Sequence, residues 1–127
     1  MLIVALIAAG LAAAIHVYIF VLESLRWTHP ATRRVFGIRS EEDAQTMKAL
    51  AFNQGFYNLF LALLVLIGII VIAAGELTVG RALLVAGCAV MLAAALVLVL
   101  SNRRMLRAAA IQGALPLVAV VFAALSA

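Results

Sequence analysis

Four apolar blocks, Leu2 to Leu25, Leu50 to Ala74, Ala82 to Leu100 and Ala108 to Ser126, constrain this 127-residue chain more than any other feature. Each is close to the ~20 residues that carry an α-helix across a ~30 Å hydrocarbon core. With 69% hydrophobic residues and a mean hydropathy of +1.28, the chain holds more apolar surface than a soluble core of this size can bury. The third block and the far half of the second carry no charged side chain. The first has no Lys or Arg ahead of it and runs on through His16 and Glu23 without a small-residue cleavage pattern, so it reads as a helix rather than a secretory signal.

The expected fold is therefore all-α: a four-helix transmembrane bundle, up-down-up-down, in one membrane domain over residues 1–127. The expected helices span approximately 2–27, 41–74, 81–101 and 107–126. A sequence pI of about 10.2 suits nucleic acid at first sight, but the basic residues sit at helix ends rather than along a stripe, so no nucleic-acid partner is expected. Five Lys or Arg lie between Arg26 and Lys48, one is Arg81, and three are Arg103, Arg104 and Arg107. The positive-inside bias then places the first and third connections in the cytoplasm, with both termini outside. The expected location is the bacterial inner membrane, as a multi-pass protein with the lipid bilayer as its partner.

The connections carry further signals. Pro30 is expected to end the first helix, and Ser40 followed by Glu41, Glu42 and Asp43 reads as an N-cap with acidic first-turn residues. A helix from there to Ala74 would be about 50 Å long, so its first turns should project beyond the hydrocarbon, with Gly55 a candidate bend. Gly75 to Gly80 reads as a short turn between antiparallel neighbours. Small residues such as Ala8, Ala9, Gly10, Ala13, Ala14, Gly87 and Ala93 to Ala95 permit close helix approach, and a homo-oligomer is compatible with them. Cys88, the only cysteine, reads as a packing residue.

Polar groups at membrane depth are costly and tend to face the bundle interior. His16 and Glu23 are seven residues apart, within about 20° of one helix face, and Phe20 and Trp27 continue that stripe. Asn53, Gln54, Tyr57 and Asn58 occupy about 0°, 100°, 40° and 140°, with Phe52, Phe56 and Leu59 behind them. Gln112 precedes Gly113 and Pro116, where the missing amide would free its carbonyl. Tyr18 points away from His16, and His29 beside Pro30 reads as solvated.

These residues imply a polar cavity in the cytoplasmic half of the bundle, with the arc of the second helix turned towards the first and His16 at the cavity floor. The acid-base or anchoring candidates are His16 and Glu23; the ligand-orienting candidates are Trp27, Asn53, Gln54, Tyr57, Asn58 and Gln112. Two His and scattered acids give no metal spacing, and no cofactor is identified. The same amides could instead serve only as bonds between helices, and Glu23 could pair with Arg26, Arg103 or Arg104.

The run His16-Val-Tyr-Ile-Phe-Val-Leu-Glu23, with Trp27, Phe36-Gly37 and Asn53-Gln-Gly-Phe-Tyr-Asn58, resembles the bacterial domain-of-unknown-function family numbered 1304 over nearly the whole chain. That resemblance implies a small four-helix membrane protein, of a kind sometimes labelled an epimerase, and leaves the mechanism open. The leading expectation is binding, or isomerase- or epimerase-like acid-base chemistry, on a small amphipathic molecule reached from the cytoplasmic leaflet. The alternatives are a small dimeric proton-coupled transporter and a structural membrane subunit.

Overall fold

The computed structural model describes residues 1–126. Five α-helices appear in chain order: α1 (Leu2–Phe20), α2 (Pro30–Val35), α3 (Glu41–Ala73), α4 (Leu77–Ser101) and α5 (Leu106–Ala124). Four helical spans, Leu2–Leu25, Glu41–Ala73, Leu77–Ser101 and Arg103–Ala124, are long and apolar enough to cross a membrane. They close a ring in which α1 lies between α3 and α5, and α4 lies between the same two on the far side. The chain is a multi-pass helical bundle of membrane-protein composition.

Its interior is built from small side chains. The buried face of α1 is Ala5, Ala8, Ala9, Ala12, Ala13 and His16, recurring at the three- and four-residue spacing that keeps one side of a helix in register. Opposite it, α3 buries Ala44, Ala51, Gly55, Ala62, Val65 and Gly68. The large apolar residues point the other way, with Ile3, Ile7, Leu50, Phe60, Ile70, Val97 and Leu100 all more than half exposed. Where lipid tails are as apolar as leucine, burying a large side chain brings little, so close approach of backbones and dispersion contacts stabilise the bundle. Cys88 is fully buried in this core among Leu84, Met91 and Val65.

Several boundaries differ from expectation for physical reasons. The first helix ends earlier, because Val21–Leu25 form a π-helical turn in which the Arg26 amide donates to the Val21 carbonyl five residues back, at 2.9 Å. Pro30 does not end that helix. It opens α2, in the first-turn position where its missing amide costs nothing. α3 runs through Gly55 without interruption, for 33 residues in all. The turn after α3 is shorter than the expected Gly75 to Gly80. Gly75, at φ +98°, closes it, and α4 starts at Leu77, four residues before the expected start. The Ser40 cap matches expectation, its Oγ accepting from the Asp43 amide at 3.0 Å.

Arg81 shows what the basic residue between α3 and α4 does. Its guanidinium donates to the Ala123 carbonyl at 2.8 Å and the Ser126 carbonyl at 3.2 Å. Those carbonyls lie at and just beyond the C-terminal end of α5, where a cation complements the helix dipole.

Candidate functional site

The site is assembled where the π turn of the first span meets α3. In a π turn each residue advances less than the usual 100°, which re-aims the side chains that follow, and such turns recur at functional sites. Here the turn carries Glu23 and Ser24 against α3. Contact is close because residue 55 is glycine. A Cβ there would overlap the Ser24 hydroxyl, and would lie 3.0 Å from the Ser24 amide nitrogen and 3.1 Å from the Glu23 Cβ. The Ser24 Oγ donates to the Phe52 carbonyl at 2.8 Å, adding a polar tie to the same crossing.

Glu23 is 9% exposed. Its Oε2 accepts from the Asn58 Nδ2 at 2.7 Å, and the same Nδ2 reaches the Gln54 carbonyl at 3.2 Å. No ion pair to Glu23 exists among the described residues, so pairing with Arg26, Arg103 or Arg104 is not how this carboxyl is accommodated. An open pocket of about 480 Å³ adjoins it, lined by Glu23, Trp27, Met47, Leu50, Ala51, Asn53, Gln54 and Tyr57. No residue of α4 or α5 is among these, so the pocket lies between the end of the first span and α3.

Trp27 also has a structural task. Its Nε1 donates to the Ala44 carbonyl at 2.9 Å, and its ring packs on Phe36 at a centroid distance of 5.2 Å. It thus pins the connection after the first span to the start of α3 while also forming part of the pocket wall.

The polar arc of α3 is divided rather than turned as a whole towards the first helix. With Asn53 at zero, the strip that meets the first span (Ala51, Asn58, Ala62 and Gly55) covers about 140–200°. Asn58 sits at its edge and bonds Glu23. Asn53, Gln54 and Tyr57 are exposed and form the open side of the pocket. An arc about 140° wide exceeds what one neighbouring helix covers. Phe56, behind the arc, packs edge-on against Phe20 at 5.1 Å, between Phe52 at 5.1 Å and Phe60 at 6.1 Å. This aromatic ladder seals the crossing on the side away from the pocket.

Two expected site residues lie elsewhere. His16 is 2% exposed, closes the alanine stripe of α1, and bonds through Nδ1 to the Ala12 carbonyl of its own helix at 2.9 Å; it does not line the pocket. Gln112 is half-buried on α5 and is likewise absent from the lining. The seven-residue separation of His16 and Glu23 becomes two levels of the bundle, and the π turn adds a rotation between them. Met47, Leu50 and Ala51 were not anticipated in the lining, although their spacings of seven, four and three residues from Gln54 are the signal that would have placed them there. Among the described residues no three of His, Cys, Asp and Glu group together as a metal site would require.

A family model described as "Protein of unknown function (DUF1304)" matches residues 10–124. No curated protein and no solved structure matches the chain.

Proposed function

For a chain that belongs to the DUF1304 family, we propose a membrane-embedded binding site for a small amphipathic molecule, with Glu23 as the group that engages its polar head. The carrying observation is a buried carboxyl with a single amide partner and no cation among the described residues, facing an open pocket beside α3. Keeping a carboxylate out of water is costly unless donors or a counter-charge satisfy it. Asn58 supplies one donor; the proposed ligand supplies the rest. Asn53, Gln54 and the Tyr57 hydroxyl orient the head, while Met47, Leu50 and the Trp27 ring take the apolar part. Acid-base chemistry at this site would run through Glu23 with a proton exchanged with the ligand head itself, because His16 is one helix level away. His16 is assigned to packing.

Dodecylamine, dodecanol and dodecanoate share a tail and differ only in the head. Binding of all three to detergent-solubilised protein therefore tests the reading. Wild type is expected to prefer amine or alcohol to carboxylate, and Glu23→Gln to lose at least about tenfold in amine affinity, about 1.4 kcal/mol. His16→Gln should leave the preference in place. Equal binding of the three heads, or an unchanged preference in Glu23→Gln, would refute it.

The site is placed near the cytoplasmic face of the bacterial inner membrane, with both termini outside. The basis is five and three basic residues flanking two of the connections against Arg81 at the other, and Arg81 is engaged by the end of α5. In a Cys88→Ala background, an impermeant thiol reagent applied to intact cells is expected to label Glu76→Cys and to spare Arg104→Cys. The reverse pattern overturns the orientation.

A further inference from the structure

A second cavity, sharing no residue with the Glu23 pocket, lies between the end of the first span and α2. It has a volume of about 210 Å³ and is lined by Tyr18, Val21, Leu22, Arg26, His29, Ala31, Thr32 and Val35. We propose that it holds the phosphate-bearing headgroup of an anionic phospholipid at the membrane surface.

Charge is the first argument. From Ser24 to Ser40 the chain carries Arg26, Arg33, Arg34 and Arg39 and no acidic residue, and no carboxylate is among the cavity residues. Arg26 stands in the cavity wall itself, and a cation there favours an anion.

The second argument is a donor held at the wall. Thr32 is 1% exposed and lines the cavity. A hydroxyl kept from bulk water at a cavity wall is a ready donor to a ligand acceptor. His29 adds directionality. Its Nδ1 accepts from the Ala31 amide at 3.3 Å, so in the neutral ring the proton sits on Nε2, leaving a donor. With the Arg26 guanidinium and the Tyr18 hydroxyl, the wall offers four kinds of donor suited to phosphate oxygens.

Position makes the anion a lipid. Val21 and Leu22 belong to the membrane span and continue the wall as apolar surface, whereas Thr32 and His29 belong to the connection outside it. A phosphate ester with an acyl tail matches both halves; free phosphate matches only the upper one.

Native mass spectrometry from detergent micelles doped with phosphatidylglycerol, phosphatidylcholine or inorganic phosphate tests the proposal. Wild type is expected to retain phosphatidylglycerol at least about fivefold over phosphatidylcholine, whose choline is repelled by the arginines. Arg26→Gln and the near-isosteric Thr32→Val should each lose that excess, and Arg104→Gln should keep it. Helix content and elution volume identify any variant that fails to fold, and Thr32→Val, which changes one oxygen, carries the test if Arg26→Gln does. Equal retention of the two lipids, or the same adducts in wild type and Thr32→Val, overturns the site. Displacement of phosphatidylglycerol by millimolar inorganic phosphate overturns the lipid as its occupant.

Discussion

Gly68→Leu is expected to dismantle the pairing of α3 and α4. A Cβ on Gly68 would lie 2.8 Å from the Leu84 amide nitrogen and 2.9 Å from the Gly80 carbonyl oxygen, while a Cβ on Gly80 would lie 2.7 Å from the Gly68 carbonyl oxygen. These neighbours are backbone, which cannot swing aside as the end of a flexible side chain can. The helices would have to separate along the length that buries Val65, Leu84 and Cys88, all 0–1% exposed. Overpacking in a tight core typically costs 1–3 kcal/mol, and a clash with backbone on both helices puts Gly68→Leu at about 3 kcal/mol or more. Thermal unfolding in detergent, followed by helix content and elution volume, measures it. Gly10→Ala is the control, since the nearest atom to its added Cβ is the Ile69 side chain at 4.0 Å. A Gly68→Leu protein that melts within about 2 °C of wild type would show that the two helices do not pack as described.

Asn58→Leu is expected to give the second large effect, and its signature is recovery by a second substitution. The Asn58 amide is the one side chain that bonds Glu23 among the described residues, and Glu23 is 9% exposed. Removing the donor leaves a buried carboxyl unanswered, a cost of about 2–3 kcal/mol. Replacing both partners, in Glu23→Leu with Asn58→Leu, removes the group that needed satisfaction, so stability should return to near the wild-type value or above it. The sign follows from the difference between breaking a buried polar pair and deleting it. A double variant as unstable as the sum of the two single ones would mean that the residues are not coupled. The same double variant should have no amine preference, so folding and binding separate in one protein: stability recovers while binding does not.

Much of the fold was legible because membrane constraints act on sequence directly. Every backbone polar group in hydrocarbon must be satisfied within its own helix, so four apolar blocks become four helices whatever their neighbours are. The Ser40 cap was legible for the same local reason, since a side chain, a spacing of three and an acidic turn suffice. Boundaries that depend on distant packing were not. Residues Leu77 to Gly80 join α4, where Gly80 lies against Gly68, and nothing within six residues of sequence reports that. Pro30 ends one helix or opens the next with equal local logic. The outcome followed from an earlier stop at Leu25.

Helical periodicity likewise identified the polar arc but not its use. An ideal 100° advance places His16 and Glu23 on one face, and both are buried; the π turn at Val21–Leu25 and seven residues of rise then leave one in the alanine core and the other at a pocket. By itself the sequence determined the class, the four spans, the small-residue interior and the set of polar residues from which a site could be made. Tertiary structure alone decided which of them meet. Asn58 bonds Glu23 because the glycine at 55 lets two backbones approach. Asn53, Gln54 and Tyr57 stay open because one helix covers only a narrow strip of another. Composition and period are properties of a segment, whereas contact between segments depends on crossing geometry, which a few atoms at the crossing decide.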